Sequence, residues 1–365
     1  VKSVGFFPTI SRKAPGYSYV VTSEQIETSP ERTIDDIIAM RVPGMTAGRH
    51  ERAGVLIGTR GIMIDNNAKT MVMLDEQQIN QRSQFGFSAG LQSPLLGDIG
   101  QYEFVLGPGA ILHGSGALNG FINMVPKNGK DNPGALINSE YGFAEQAWKI
   151  ETGYGASYGE HRNVYLYGGM YGAKGFEPDE LFGSTKKFDI KSYGFGNGNE
   201  KFSLYWNHDR FNLSTFFFEN NPYKNNSIEP GYFHQATAGI RPKYNFKISE
   251  TDSDELIGSL LWMDHMSPPI PGAPAPGAGS ESHWEIKNIY RTTRWKDHSL
   301  AVGFSVGEKR FYQLRQFFSD DGVFPFEAVD GKWFEASVFG EDVIALTDRW
   351  TISVGLRYDK VDTSN

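Results

Sequence analysis

The chain has 365 residues, with 35 Lys and Arg against 43 Asp and Glu, for a net charge of -8. That balance argues against a nucleic-acid surface, which needs an excess of bases, and the absence of cysteine excludes both a disulfide framework and a thiolate metal site. Only 39% of residues are hydrophobic, and no run approaches the ~18 apolar residues of a membrane helix, which leaves open a transmembrane β-barrel, whose strands show lipid only every second residue.

A cysteine-free chain suits export into an oxidising compartment. Val1-Lys2-Ser3 shows no basic segment leading into an apolar one, so a leader peptide is expected to be already removed or to lie upstream. Residues 1 to about 130 read as mixed α/β. Tyr17 to Thr22 is a predicted strand, and Thr33 is placed to cap a helix over Ile34 to Met40. Asp35 and Asp36 sit in its first turn, and Pro43-Gly44 stops it. Short strands are predicted at Val55–Ile57 and Met71–Leu74, followed by a polar loop from Gln81 to Gln92 with Phe85 and Phe87 at its tip. The stretch Leu106 to Val125, LGPGAILHGSGALNGFINMV, is a glycine-dense bend running into an apolar strand over Phe121, Ile122, Met124 and Val125. Its five glycines allow sharp turns and close packing.

From Gly134 onward the chain predicts about a dozen strands. Trp350, Ile352, Val354, Leu356 and Tyr358 share one face, opposite Thr351, Ser353, Gly355 and Arg357. Leu300, Val302, Phe304 and Val306 repeat this pattern. So do Ala236, Ala238, Ile240 and Tyr244 against Gln235, Thr237, Gly239, Arg241 and Lys243, and Phe202, Leu204 and Trp206 against Ser203, Tyr205 and Asn207. A soluble β-sandwich has the same period. Three features favour a membrane barrel: small and polar residues on one face, aromatics clustered near strand ends, and short turns alternating with long polar loops such as Pro268 to Ser282.

The ordered set Asp36-Ile37-Ile38, Val42-Pro43-Gly44, Arg60-Gly61, Met73-Leu74-Asp75, Gly107-Pro108-Gly109 and Gly114-Ser-Gly-Ala-Leu-Asn-Gly120 resembles the plug domain of TonB-dependent outer-membrane receptors. Phe121 to Lys127 resembles the strand that ends such plugs, and Phe339 to Asp359 a mid-barrel hairpin. The resemblance implies an α+β plug over residues 1–132, then antiparallel transmembrane strands over 133–365. It also implies residence in the outer membrane with the plug facing the periplasm, contact with its lipid, and TonB with its inner-membrane motor as partner. Three positions depart from the family pattern: Leu106 where an arginine is usual, Glu76 where a glycine is usual, and His113 where another aromatic is usual. That arginine helps fix plug to wall in the family. Arg60 is retained, and Glu341 is its expected partner here. The N-terminal energy-coupling box is not identifiable.

Size tests the assignment. A plug of about 130 residues has a radius of gyration of ~14 Å, hence a diameter of roughly 36 Å. Strands ~4.8 Å apart and tilted ~40° give a bore of roughly 24 Å for twelve strands and 44 Å for twenty-two. A dozen strands cannot enclose such a plug, so the chain is expected to supply about half of a 22-stranded barrel.

No catalytic constellation emerges. Gly114-x-Gly116 lacks the third glycine and the lysine of a phosphate loop, the histidines show no metal-ligand spacing, and no nucleophile elbow exists. The reading is therefore a non-enzyme without cofactor or metal site. By resemblance, the plug loops Ile62 to Lys69 and Gln81 to Gln92 face a vestibule. There Arg82, Gln84, Phe85 and Phe87 combine a fixed charge, an amide and two aromatic faces, which suit an anionic aromatic metal chelate. Phe85 and Phe87 would equally anchor the loop on the wall. The expected activity is TonB-dependent uptake of a scarce ligand, a ferric siderophore first, with cobalamin, haem or oligosaccharide as alternatives. A passive porin and a surface adhesin or assembly subunit are the rivals.

Overall fold

A computed structural model describes residues 6–7, 17–50, 54–63, 67, 69–81, 89–107, 113–114, 116–143, 146–173, 199–220, 224–225, 231–232, 234–266, 275–318, 324–325, 329–347 and 350–364. The N-terminal part opens with β1 (Tyr17–Thr22), α1 (Ser23–Glu27) and α2 (Ile34–Arg41). Thr22 and Gln25 form a reciprocal capping box on α1, and the Thr33 side chain accepts from the Asp36 amide at the start of α2. The strands β2 (Met45–His50), β3 (Gly54–Thr59) and β4 (Ile62–Met63) make a small antiparallel sheet. A second sheet holds β5 (Thr70–Leu74), β6 (Gln77–Gln78), β7 (Ile99–Leu106) and β8 (Gly120–Pro126) together with β1, in the order β1-β7-β8-β5-β6.

β5 runs parallel to β8, whereas β7 is antiparallel to both β8 and β1. Side-chain amides complete the backbone pairing. Asn80 Oδ1 accepts from Val72 N at 2.7 Å while its Nδ2 donates to Thr70 O, and Asn67 bridges Ile57 N and Val55 O in the same way. The core packs Ile34, Ile37 and Ile38 of α2 onto Val72, Leu74, Tyr102, Phe104 and Ile122 of the sheet. Gly120, at φ 131, is forced: a Cβ there would lie 2.0 Å from the Val105 carbonyl oxygen.

The rest is one large antiparallel sheet. Its long strands are β9 (Gly134–Gly142), β10 (Ala147–Gly159), β11 (Arg162–Ala173), β12 (Asn199–His208) and β13 (Phe211–Asn220). After a small hairpin of β14 (Lys224–Asn225) and β15 (Gly231–Tyr232) come β16 (His234–Lys247), β17 (Asp252–Met266), β18 (Ala275–Thr292) and β19 (His298–Phe318). The two-residue β20 (Phe324–Pro325) pairs with β19, and β21 (Val329–Ala345) and β22 (Thr351–Ser364) complete the series. Among the described residues eleven long strands pair in sequence from β9 to β22, and β9 and β22 are the two edges of this sheet. Part of the segment expected as a long loop after Pro268 belongs to β18, which begins at Ala275 and pairs with β19.

The wall has two unlike faces. Ile240, Leu260, Ile286, Val302, Phe304, Val338 and Val354 are exposed on one, while their neighbours Arg241, Leu261, Ser305 and Ser337 are buried on the other. The exposed face is the apolar band that lipid covers in a barrel. The five-stranded sheet sits against the polar face through its β5–β6 hairpin and the entry to β7, as a plug in a bore.

Candidate functional site at the plug–wall interface

The β5–β6 hairpin turns through only two residues, Asp75 and Glu76, with φ of 48° and 64°. Both lie in the left-handed region that a two-residue hairpin of this hand demands. Asp75 N donates to Met124 O at 2.9 Å and Glu76 N to Asn123 Oδ1 at 3.0 Å, tying the turn to β8. The two carboxylates are thereby aimed at the wall, where Arg241 Nη2 meets Glu76 at 2.9 Å and Nη1 meets Asp75 at 3.4 Å. Ser214 donates to Asp75 as well. Burial alone would push the Glu76 carboxyl up. The Arg241 guanidinium, helped by Lys243, His113 and Lys287, instead holds it at about 2. One strand on, Gln77 Nε2 donates to Leu260 O at 2.9 Å.

A second clamp lies where the chain enters β7. Asp98 is fully buried and takes three donors from a single wall strand: Lys201 Nζ at 2.5 Å, Ser203 Oγ at 2.9 Å and Tyr205 Oη at 3.1 Å. Alternation along β12 puts 201, 203 and 205 on one face, so one carboxylate can bind them together. Next to it, Gly97 N donates to Glu151 Oε1 at 3.0 Å. Gly97 also sits so close that a Cβ would fall 2.8 Å from that oxygen. Burial pushes the nearby Tyr102 hydroxyl well above its ordinary range, and Asp98 and Glu151 push it further, so it stays protonated.

Phe6 makes a third contact. Its ring stacks on Phe339 at 5.2 Å, its amide donates to Glu341 Oε2 at 3.1 Å, and its carbonyl accepts from Arg291 Nε at 2.7 Å. These partners lie toward the short-turn end of β18 and β21. Between the hairpin and strands β17–β22 remains a cavity of ≈ 100 Å³. Its wall side carries three acid–base pairs: Lys287 with Glu285 at 3.7 Å, Lys309 with Glu335 at 2.6 Å, and Arg357 with Asp359 at 2.7 Å. The plug contributes Met73, Gln78 and His113 to the opposite side, and His113 packs edge-on against Phe121.

The loop residues expected to meet ligand, Arg82, Gln84, Phe85 and Phe87, lie outside the described residues. Arg60 is exposed in the turn between β3 and β4 with φ 54°, and its amide donates to Gly44 O. Glu341 is buried, accepting from Phe6 N and from Ser353 Oγ at 2.6 Å. Among the described residues no ion pair joins Arg60 to Glu341. The clamps that do form use Asp98, Lys201, Glu76 and Arg241, which the sequence reading did not single out as contacts. The available signal was a charge on an otherwise small and polar face, alone at Lys201 and beside Lys243 at Arg241.

Residues 11–121 match the family model described as the TonB-dependent receptor plug domain. With that match ending at β8 and the wall following at once, family and architecture agree. Residues 11–121 are thus a TonB-dependent receptor plug domain. A vitamin B12 transporter of Vibrio vulnificus is 28% identical over 190 residues, which cover 49% of this chain and 28% of that one. FpvA of Pseudomonas aeruginosa, solved with an iron-loaded pyoverdine, superposes with a TM-score of 0.78 at 14% identity, over 100% of this chain and 54% of its own. The ferric yersiniabactin uptake receptor of Yersinia pestis gives 0.66 at 13% identity, over 95% and 57%. The chain thus spans about half the length of these solved receptors.

Within this plug domain the departures from the family pattern acquire reasons. Position 76 has φ 64°, a conformation that favours glycine. Here Glu76 occupies it and gains an ion pair to the wall. Leu106, in place of an arginine, is buried and lies against Gly44.

Proposed function

We propose that this chain is the plug and first barrel half of an active transporter that captures a ferric siderophore outside and passes it inward when TonB delivers work. The observation that carries the reading is the clamping of plug to wall at the fully buried Asp98 and at the half-buried Asp75–Glu76 turn. Breaking one buried ion pair costs on the order of 3–5 kcal/mol, so the bore stays shut without an external source of work. A bilayer that holds no ATP leaves a periplasmic partner to supply it. In this reading the short-turn end, where Phe6 is held, faces the periplasm, and the loop carrying Arg82, Gln84, Phe85 and Phe87 faces the ligand. A second ligand class, vitamin B12, is favoured by the sequence relative.

The test uses cells carrying the full-length receptor, with uptake of radiolabelled ferripyoverdine and vitamin B12 measured with and without a proton gradient. Gradient-dependent accumulation of either supports transport. Uptake that persists after the gradient is collapsed identifies a passive pore, and high-affinity protein binding with no accumulation identifies an adhesin.

A further inference from the structure

Beside the Asp98 clamp, and sharing Lys201 with it, lies a second cavity of ≈ 20 Å³. Apolar side chains such as Leu74, Met124 and Phe218 line most of it. Two neutral polar side chains also reach it, Tyr102 from the plug strand β7 and Asn220 from the wall strand β13. Tyr102 is 0% exposed and Asn220 1%, yet among the described residues neither the tyrosine hydroxyl nor either end of the amide has a hydrogen-bond partner. Groups buried this deeply are almost always paired, with protein or with ordered water. We infer that the cavity is a binding site for one water molecule, which bridges Tyr102 to Asn220 and so ties β7 of the plug to β13 of the wall.

Size and charge identify the occupant. One water needs roughly 10–15 Å³ of such space, so ≈ 20 Å³ takes a water and nothing larger. Asp98 lies 2.5 Å from Lys201 Nζ and balances its charge, so the occupant is neutral. The Asp98 carboxylate already takes three donors from β12 and does not serve Tyr102. Lys201 directs its ammonium to Asp98 and to Leu95 O, which leaves one of its three hydrogens for the cavity. A water there accepts from the Tyr102 hydroxyl and the Lys201 ammonium and donates to the Asn220 amide oxygen. About three partners is the usual number for a buried water. Asp98 grips β12 directly, and the hydrated Tyr102 reaches the neighbouring β13, so the second clamp spans two adjacent wall strands. The bridge is independent of which solute the receptor carries.

The sign of one substitution decides. Removing a buried hydroxyl that has no partner is neutral or stabilising, whereas removing one that holds a water strips that water of a donor. In the detergent-purified full-length receptor, Tyr102→Phe is expected to raise the protease-sensitive fraction of the plug about fivefold, the size of one net hydrogen bond. In an Asn220→Leu background, where the bridge has lost its wall end, the same change is expected to have less than half that effect on a logarithmic scale, as coupled partners do. A high-resolution crystal structure of the wild type is expected to show one solvent peak within hydrogen-bond reach of both side chains, and this readout stands even if Asn220→Leu fails to fold. Three results overturn the bridge: a Tyr102→Phe plug as resistant as wild type or more so, an equal Tyr102→Phe effect in both backgrounds, or a cavity without solvent density.

Discussion

Glu76 of the plug hairpin and Arg241 of the wall meet at 2.9 Å across 165 residues of sequence, and the guanidinium is almost wholly buried. The carboxylate stands in a left-handed turn position that a glycine would occupy without strain. Two opposing effects therefore meet in one side chain, and two substitutions separate them. Glu76→Gln removes the charge but keeps the strain. Because about a third of the Glu76 side chain stays open to solvent, the loss falls below that of a fully buried pair, at about 2 kcal/mol. Glu76→Gly removes the charge and relieves about 1 kcal/mol of backbone strain. Thermal unfolding of the detergent-purified full-length receptor is expected to rank wild type above Gly and Gly above Gln. A Gln variant as stable as the wild type would remove the pair from the account.

The same pair sets a pH dependence. The Glu76 carboxyl is held at about 2 in the folded plug, against an ordinary value of 4.5. A folded value below the unfolded one means stabilisation that is complete above about 4.5 and lost as pH falls toward about 2. Plug stability, followed by protease resistance of the hairpin, is expected to hold from neutrality to pH 5 and then decline with acid. In Glu76→Gln that part of the decline is absent. An equal acid decline in both proteins would assign it to other carboxylates.

Asp98 tests the second clamp. In Asp98→Asn, Lys201 keeps its ammonium in a site that no longer offers a charge, and a loss of about 3–5 kcal/mol is expected. The double variant Asp98→Asn with Lys201→Met removes the stranded charge as well. It is expected to recover a measurable part of that loss in denaturant unfolding, as coupled neighbours do. Equal losses in the single and double variants would show that the ammonium is not what the carboxylate serves.

How much of this was legible in the sequence depends on which faces a strand presents. β19 and β22 carry their apolar residues at alternate positions because one face meets lipid and the other the plug, so a period of two exposes them directly. β7 gives no such signal: Ile99–Leu106 is buried on both faces over most of its length, and its apolar run merges with the glycine bend after it. β2, Met45–His50, is short and mixed, and its pairing with β3 rather than any periodicity makes it a strand. α2 was legible from Thr33 and the two aspartates, and the structure extends it by one residue to Arg41, which pairs with Glu31 at 2.8 Å. The clamps were the least legible part. Arg241 and Ser203 could be assigned to the inner face by alternation. Their partners lie about a hundred residues or more away, though, and nothing local at Asp98 or Glu76 announces a wall opposite.

The two faces of β18 make the last prediction. Ile286 is exposed on the apolar face, and its neighbour Lys287 lines the cavity on the other. A lysine placed toward lipid costs on the order of 2–4 kcal/mol near the bilayer midplane and little near the interfaces. Ile286→Lys is thus expected to lower the stability of the full-length receptor folded into lipid vesicles by about that amount. Lys287→Gln, which removes a charge from a hydrated surface where it stands 3.7 Å from Glu285, is expected to cost less than about 1 kcal/mol. Denaturant unfolding from vesicles, read by heat-modifiable electrophoretic mobility, measures both. If Ile286→Lys is neutral in vesicles, the exposed face of β18 at this height meets water or protein rather than lipid.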